Sequence, residues 1–269
     1  MSQVTRISHA TLKYVGKLTQ KKYRRAERKF IIEGLRLVEE AMNSGWEVGM
    51  LLVNRAVLTK GEGTRVLEAA ENRNCPVYEI SRQEVGKLSD TVTSQGILAV
   101  VSMKEYLPEE LWPDLSGQSL IVGLDGISDP GNVGTILRTC DWFGVDAALI
   151  ESSGVELYSP KVMRSAMGSI FHLPVLPDVD LLQQVRLARK NGFQIFVTTA
   201  SGESPFRGKS FPPRCMFIFG NEARGVSPEV MEEADTLVSI PKFGKAESLN
   251  VAIACGVILG GLRLRVPTG

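Results

Sequence analysis

Cysteine is scarce in this chain, and its four residues, Cys75, Cys140, Cys215 and Cys255, lie far apart and never form a CxxC pair. Such spacing suggests neither a zinc site nor a disulfide framework, so no metal is expected and a reducing cytoplasm fits. Long hydrophobic runs are missing too. The longest candidate, Leu249 to Leu262, is too short to span a bilayer and rich in Gly and Ala, and it reads as a helix buried nearly all round. The N-terminus carries positive charge without an apolar segment behind it, which excludes a secretory signal. Two nucleotide-binding signatures are also absent. Gly126 to Val133 lacks the Lys-Ser/Thr ending of a phosphate loop, and Gly131-Asn132-Val133-Gly134 has the wrong spacing for a dinucleotide fingerprint. There is no internal repeat and no low-complexity tract.

What is present describes an ordinary globular protein, with 43% hydrophobic and 23% charged residues, and its 269 residues suffice for two domains. The net charge of +1 hides an uneven distribution. Residues 1 to 36 carry ten basic side chains against two acids, an excess of +8 that leaves −7 for the rest. Such a segment is either a solvated helix face or a surface for a phosphate backbone, whose condensed counterions each Lys or Arg can release.

Apolar periodicity divides the chain. Phe30 to Ile32 reads as a strand passing into a helix with Leu35, Val38 and Met42 on one face. Strands over 46–53, 76–80 and 97–101 alternate with helices over 63–72 and 81–88, which makes a small α/β sandwich. Residues 104–118, with Pro108, Pro113 and Gly117, read as a linker between domains spanning 1–103 and 119–269. Beyond it, strands over 119–124, 147–151, 194–199 and 215–219 alternate with helices through Phe143 and over 181–191. That alternation predicts an α/β domain with a parallel sheet covered on both faces and ligands at the carboxyl ends of its strands.

Three blocks carry the functional signal: Asp129-Pro130-Gly131-Asn132-Val133-Gly134-Thr135-Ile136-Leu137-Arg138-Thr139, then Phe217-Ile218-Phe219-Gly220-Asn221-Glu222-Ala223-Arg224-Gly225-Val226-Ser227, then Ile240 to Ala254 with Ser248-Leu249-Asn250 at its centre. In this order they resemble the motifs of the SpoU branch of the SPOUT methyltransferases, which methylate RNA ribose at the 2′ oxygen using S-adenosylmethionine. Thr135 replaces a common Ala and Ala223 a frequent Gly. The resemblance covers roughly residues 118 to 265. The preceding segment, through Phe30 to Gly34 and Gln95 to Val101, looks like the substrate-binding domain found before several SpoU catalytic domains, which is similar to a small ribosomal RNA-binding protein.

The resemblance implies a trefoil-knotted catalytic domain that pairs as a homodimer through its C-terminal helix, and no membrane partner. It implies a cofactor site at Thr199, Ala200, Gly220, Asn221, Ile240, Leu249 and Asn250, and a catalytic arginine at Arg138. Ribosomal RNA is the favoured substrate; transfer RNA, or a non-catalytic RNA-binding or ribosome-assembly role on the same fold, are the alternatives.

Read as chemistry, the motifs gather Asn132, Arg138, Glu222, Arg224, Ser248 and Asn250. A guanidinium stays protonated in proteins, so Arg138 either acts as a base with help from a substrate phosphate or stabilises the developing alkoxide. Glu222 is expected to pair with Arg138 or Arg224, and Ser248 is either catalytic or the cap of the last helix. Gly220, Gly225 and Gly244 serve close backbone approach or turns with positive φ. RNA contacts are expected from Lys21, Lys22, Arg24, Arg25 and Arg28, and from Lys161 and Arg164 on a basic helix edge, beside which His172 is set aside as a general base.

Overall fold

The computed structural model describes residues 4–58, 61–91, 93–108, 112, 117–204 and 211–264. The chain forms two units, Met1–Lys104 with Tyr158–His172, and Glu105–Leu157 with Leu173–Gly269.

In the first unit β1 (Thr5–Arg6), β2 (Lys29–Glu33), β3 (Val48–Asn54), β4 (Val77–Ile80) and β5 (Ile97–Ser102) form a mixed sheet in the order β1-β4-β3-β5-β2. The continuous apolar run Ile97 to Val101 is buried throughout because β5 lies between β3 and β2, antiparallel to both. The basic segment folds as two short helices, His9–Lys17 and Lys21–Glu27, and Arg28 ends the second in a left-handed conformation at φ 52°. The helix Arg82–Leu88 is opened by a capping box in which Ser81 and Glu84 satisfy each other's backbone N–H groups. Arg73 fastens the end of the helix Leu35–Asn43, donating to the carbonyls of Met42 at 2.7 Å and Trp46 at 2.7 Å.

Residues Tyr158–His172 belong to this unit, although a linear division puts them inside the later domain. Their aromatic rings explain it. Tyr158 sits 4.7 Å from Phe30 and Phe171 5.3 Å from Trp46, centroid to centroid, so these buried rings pack on the first unit's own aromatics.

The second unit is a six-stranded, wholly parallel sheet of β6 (Ser119–Asp125), β7 (Ala147–Glu151), β8 (Val175–Val179), β9 (Gln194–Glu203), β10 (Arg214–Gly220) and β11 (Thr236–Val238), in the order β11-β9-β10-β6-β7-β8. Strand order reverses between β6 and β10, which places a crevice at their carboxyl ends. Pro177 and Asp178 disguise β8 in the sequence, and an edge strand tolerates them. Part of the expected linker is built into this unit: Trp112 is buried in its core and donates to Gln184 at 3.1 Å. Residues 109–111 and 113–116 of that linker lie outside the described residues.

The last helix, Val251–Arg263, is not buried all round. Val251, Ala252, Cys255, Ile258, Leu259 and Leu262 face inward, against the sheet and the helix Pro130–Trp142, while Ile253 is 57% exposed and Val257, one turn on, shares that open side. One small residue makes the approach close, since a β-carbon at Gly260 would lie 3.2 Å from the ring of Phe143, whereas one at Gly256 would meet Thr139 at an ordinary 3.8 Å.

Candidate active site

The crevice at the switch point is held open by short-range bonds between the turns that leave β6 and β10. Asp125, 8% exposed at the end of β6, accepts from both the backbone N–H and the hydroxyl of Ser227 at 2.7 Å each. Asn221 bridges the same two turns. Its amide donates to the Gly126 carbonyl at 2.8 Å, and its side-chain oxygen accepts from the backbone of Ala223 and Arg224. The side chain of Asn221 is thus committed to shaping the turn rather than directed at a ligand.

Gly220 is needed for a related reason. A β-carbon there would lie 2.3 Å from the backbone of Gly225 and Val226, where the chain folds back and Asn221 and Gly225 exchange two hydrogen bonds. Gly225 takes a positive φ of 74°. At Gly244 neither constraint applies, since its φ is not positive and no atom lies within 4 Å of a β-carbon.

Beside these turns lies a cavity of about 640 Å³, within the usual range for a small-molecule site. Thr199 and Ala200 line it from β9, Gly220 from the end of β10, Asn221 to Val226 from the turn that follows, and Ile240 to Gly244 with Ala246 to Leu249 from the segment after β11. Of the residues expected to hold the cofactor, six line it. Asn250 does not. Apolar Ile240 and Leu249, with polar Ser248, Glu222 and Arg224 among backbone amides and carbonyls, suit a ligand that joins a flat heterocycle to charged groups.

Three motif residues meet in one chain of hydrogen bonds at the cavity's edge. Asn250 caps the last helix, accepting from Ala252 and Ile253, and its amide donates to the Asn132 side-chain oxygen at 2.9 Å. Asn132 in turn donates to Glu222 at 2.6 Å. Asn132 is itself set by the helix Pro130–Trp142, whose cap Asp129 accepts from its backbone N–H at 2.9 Å. Glu222 therefore pairs with an amide and not with Arg138 or Arg224. The cap of the last helix is Asn250, so Ser248 has no capping duty; it is exposed on the cavity rim.

Arg138 does not line this cavity. It lies six residues beyond Asn132, a rise of about 9 Å along the helix. It shares an exposed stripe with Thr135 and Trp142, and its guanidinium has no hydrogen bond or ion pair among the described residues.

The candidate RNA contacts all belong to the first unit. Lys21, Lys22, Arg25 and Arg28 are exposed, and Lys17 and Lys22 both approach the ring of Tyr23, at 5.5 and 5.8 Å. Arg24 is different. It is 4% exposed, and its guanidinium donates to the carbonyls of Leu18 and Thr19 at 3.0 and 2.7 Å, so it ties the two helices together and is not presented to a phosphate. Lys161 is exposed, while Arg164 is partly covered and lies 3.9 Å from Asp90. His172 meets Glu40 at 3.1 Å in the same unit and takes no part in the cavity. Asp125 is not among the residues the motifs point to; the sequence signal for it is an acid at the end of an otherwise apolar strand.

Comparison with known proteins gives this arrangement a context. A profile of the SpoU rRNA methylase family matches residues 119–260, and a profile of the MRM3-like substrate binding domain matches residues 9–99. A 23S rRNA guanosine 2′-O-methyltransferase of Bacillus subtilis, RlmP, is 33% identical over 98% of this chain and 100% of its own. The S-adenosylmethionine-bound structure of an rRNA methyltransferase from Sinorhizobium meliloti is 28% identical, with a TM-score of 0.85 over 98% of each chain. The SpoU methyltransferase AviRb of Streptomyces viridochromogenes, also bound to that cofactor, is 25% identical with a TM-score of 0.83 over 97% of this chain and all of its own.

Proposed function

Because the chain belongs to the SpoU rRNA methylase family of S-adenosylmethionine-dependent RNA 2′-O-methyltransferases, we propose that it methylates a ribose of large-subunit ribosomal RNA, using the cavity beside β10 and the residues gathered at its edge. The observation that carries this reading is the hydrogen-bond chain Asn250–Asn132–Glu222, which joins all three motifs at the mouth of a cavity of cofactor size. The choice of ribosomal RNA is supported by what the relatives are named for.

S-adenosylmethionine, when bound, supplies a methyl group on a sulfonium. The chain has to hold it, align the ribose and balance the charge on the 2′ oxygen while the hydroxyl proton passes to solvent. Thr199, Ala200, Gly220, Ile240 and Leu249 form the walls and backbone edges that hold it. Asn132, fixed by Glu222 on one side and Asn250 on the other, positions a ribose hydroxyl or the cofactor's carboxylate, and Ser248 stands on the same rim. Arg138 acts as an electrostatic group, holding the substrate phosphate and stabilising the alkoxide as it forms.

Arg138 reaches a cavity by belonging to a homodimer built on the second unit, and it serves the partner's site. Two facts support this pairing: the stripe bearing Arg138 and Trp142 is exposed, and the last helix, packed against the same helix, leaves Ile253 and Val257 open to solvent. The later part of β9, the turn after β10 and the segment after β11 share one cavity, which supports a knotted backbone. Residues 1–103 form the substrate-binding domain and 119–269, less the segment that packs with the first unit, the catalytic one. The four buried, unpaired cysteines support work in the cytoplasm, and no helix among the described residues is long and apolar enough to cross a membrane.

Mapping 2′-O-methyl positions in RNA from cells with and without the protein tests the function. A single position lost from large-subunit ribosomal RNA is expected. A position lost only from transfer RNA would move the substrate to that class, and no lost position would leave an RNA-binding role.

Neutralising Lys21, Lys22 and Arg25 together is expected to weaken RNA binding and to flatten the slope of log affinity against log salt by about two units, with cofactor affinity unchanged. Arg24 is left intact because its loss would unfasten the two helices. An unchanged slope in filter binding across a salt series would reduce this basic segment to a solvated face.

A further inference from the structure

The segment after β11 carries a side chain that neither the cavity nor the fold accounts for. Phe243 is 98% exposed, and its ring meets no aromatic ring or cation among the described residues. Water is a poor environment for a bare phenyl ring, and a chain under no other demand would place a polar residue at the tip of such a turn. The ring is nevertheless part of the cavity rim, with Lys242 and Gly244 beside it and Arg224 on the opposite turn. Lys242 and Lys245 flank it and are exposed; Glu247 is the one acid in the turn from Pro241 to Leu249.

From this placement we propose that Phe243 is the stacking platform for the nucleotide presented to the cavity, with Lys242 and Lys245 holding the phosphates on either side of it. The proposal rests on the methyltransferase reading and deepens it by naming where the RNA strand is gripped. A single RNA strand offers alternating charged phosphates and flat base faces, and an exposed aromatic between two cations matches that alternation. Stacking asks only for a π face, so the platform holds any base and leaves sequence choice to other contacts. A second protein surface fits less well. It would have to cover the two ammonium groups that bracket the ring, and lysine is depleted from the cores of protein interfaces. A β-carbon on the Gly244 that follows would meet nothing within 4 Å, which leaves room for a base beside the ring.

The test uses the full-length protein and two probes, a mixed-sequence oligoribonucleotide of about twelve nucleotides and an abasic strand of the same length. Phe243→Ala is expected to weaken binding of the first about tenfold and leave the second unchanged. Phe243→Trp should keep the affinity, and its added fluorescence should be quenched by the base-bearing strand alone. Lys242→Ala with Lys245→Ala should weaken both strands and reduce the salt slope by about one unit or more. Cofactor affinity by calorimetry and mass by sedimentation should stay at wild-type values in every variant. A loss of S-adenosylmethionine affinity in Phe243→Ala would assign the ring to the cofactor, and a loss of mass would assign it to a partner chain; either overturns the proposal, as does equal weakening of both strands. Methyl transfer by the wild-type protein to ribosomal RNA from cells lacking it is measured in parallel. Failure there with normal stacking condemns the reaction, whereas normal transfer without a base-dependent loss condemns the platform.

Discussion

Replacing Arg138 with alanine is expected to lower the single-turnover rate of methyl transfer by about 10²–10³-fold while leaving cofactor affinity and thermal stability near wild type. Stability should hold because the side chain is exposed and has no partner among the described residues, so its removal orphans nothing. Cofactor affinity should hold because Arg138 does not line the cavity. The rate should fall because no other cation on that helix stripe can balance the developing alkoxide. Arg138→Lys keeps the charge but loses the planar fork, so partial rescue would mark a charge effect and no rescue a bidentate grip on phosphate. The composite site makes a further demand on the same variant. Mixed dimers of an Arg138→Ala chain with a Thr199→Trp chain, whose cavity is filled, should regain activity that neither homodimer has, because one of their two sites combines an intact cavity with an intact arginine. Mixtures that stay inactive, or a fully active species of monomer mass in sedimentation, would return Arg138 to its own chain's cavity.

Gly220→Ala carries the second large effect. The added methyl would stand 2.3 Å from the Gly225 carbonyl carbon and the Val226 nitrogen, and neither is the movable end of a side chain. Backbone has to shift, breaking the paired hydrogen bonds between Asn221 and Gly225 that shape the turn under the cavity. A loss of about 3 kcal/mol in stability and of more than tenfold in cofactor affinity is expected, by denaturant unfolding and calorimetry. Gly244→Ala is the control, since a β-carbon there meets nothing within 4 Å; its stability should stay within about 0.5 kcal/mol of wild type. Equal behaviour of the two variants would remove close backbone approach as the reason for Gly220.

Much of this protein could be read from the chain by itself, and the parts that could share one property: they depend on neighbours in sequence. The buried strands Ile97–Ser102, Ser119–Asp125 and Arg214–Gly220 announce themselves by their apolar middles, because a strand covered on both faces has few polar positions to offer except at its ends. The alternation of such runs with helices was enough to specify a parallel sheet, and the cavity borders the carboxyl ends of β9 and β10. The three motif blocks marked the residues that gather there, and six of the seven expected cofactor positions do line one cavity.

What only the tertiary structure decided is the assignment of each polar side chain. Arg24 and Arg25 are adjacent in a uniformly basic segment, yet one is buried on two carbonyls and the other exposed, because the helix turns successive residues about 100° apart and only one direction meets the Leu18–Thr19 corner. Glu222 takes an amide instead of an arginine because the turn after β10 is bound to the loop after β6, which brings it to Asn132 at the start of one helix and leaves Arg138 two turns further on. Asn250 displaces Ser248 as the helix cap for the same kind of reason, since the residue whose oxygen meets the first free N–H groups is chosen by where the backbone turns. Sequence patterns record which residues are buried as a class; which atom each polar group reaches is set by where the backbone turns and, for Asn132, Asn221 and Glu222, by contacts between segments about a hundred residues apart, which exist only once the sheet has brought the strand ends together.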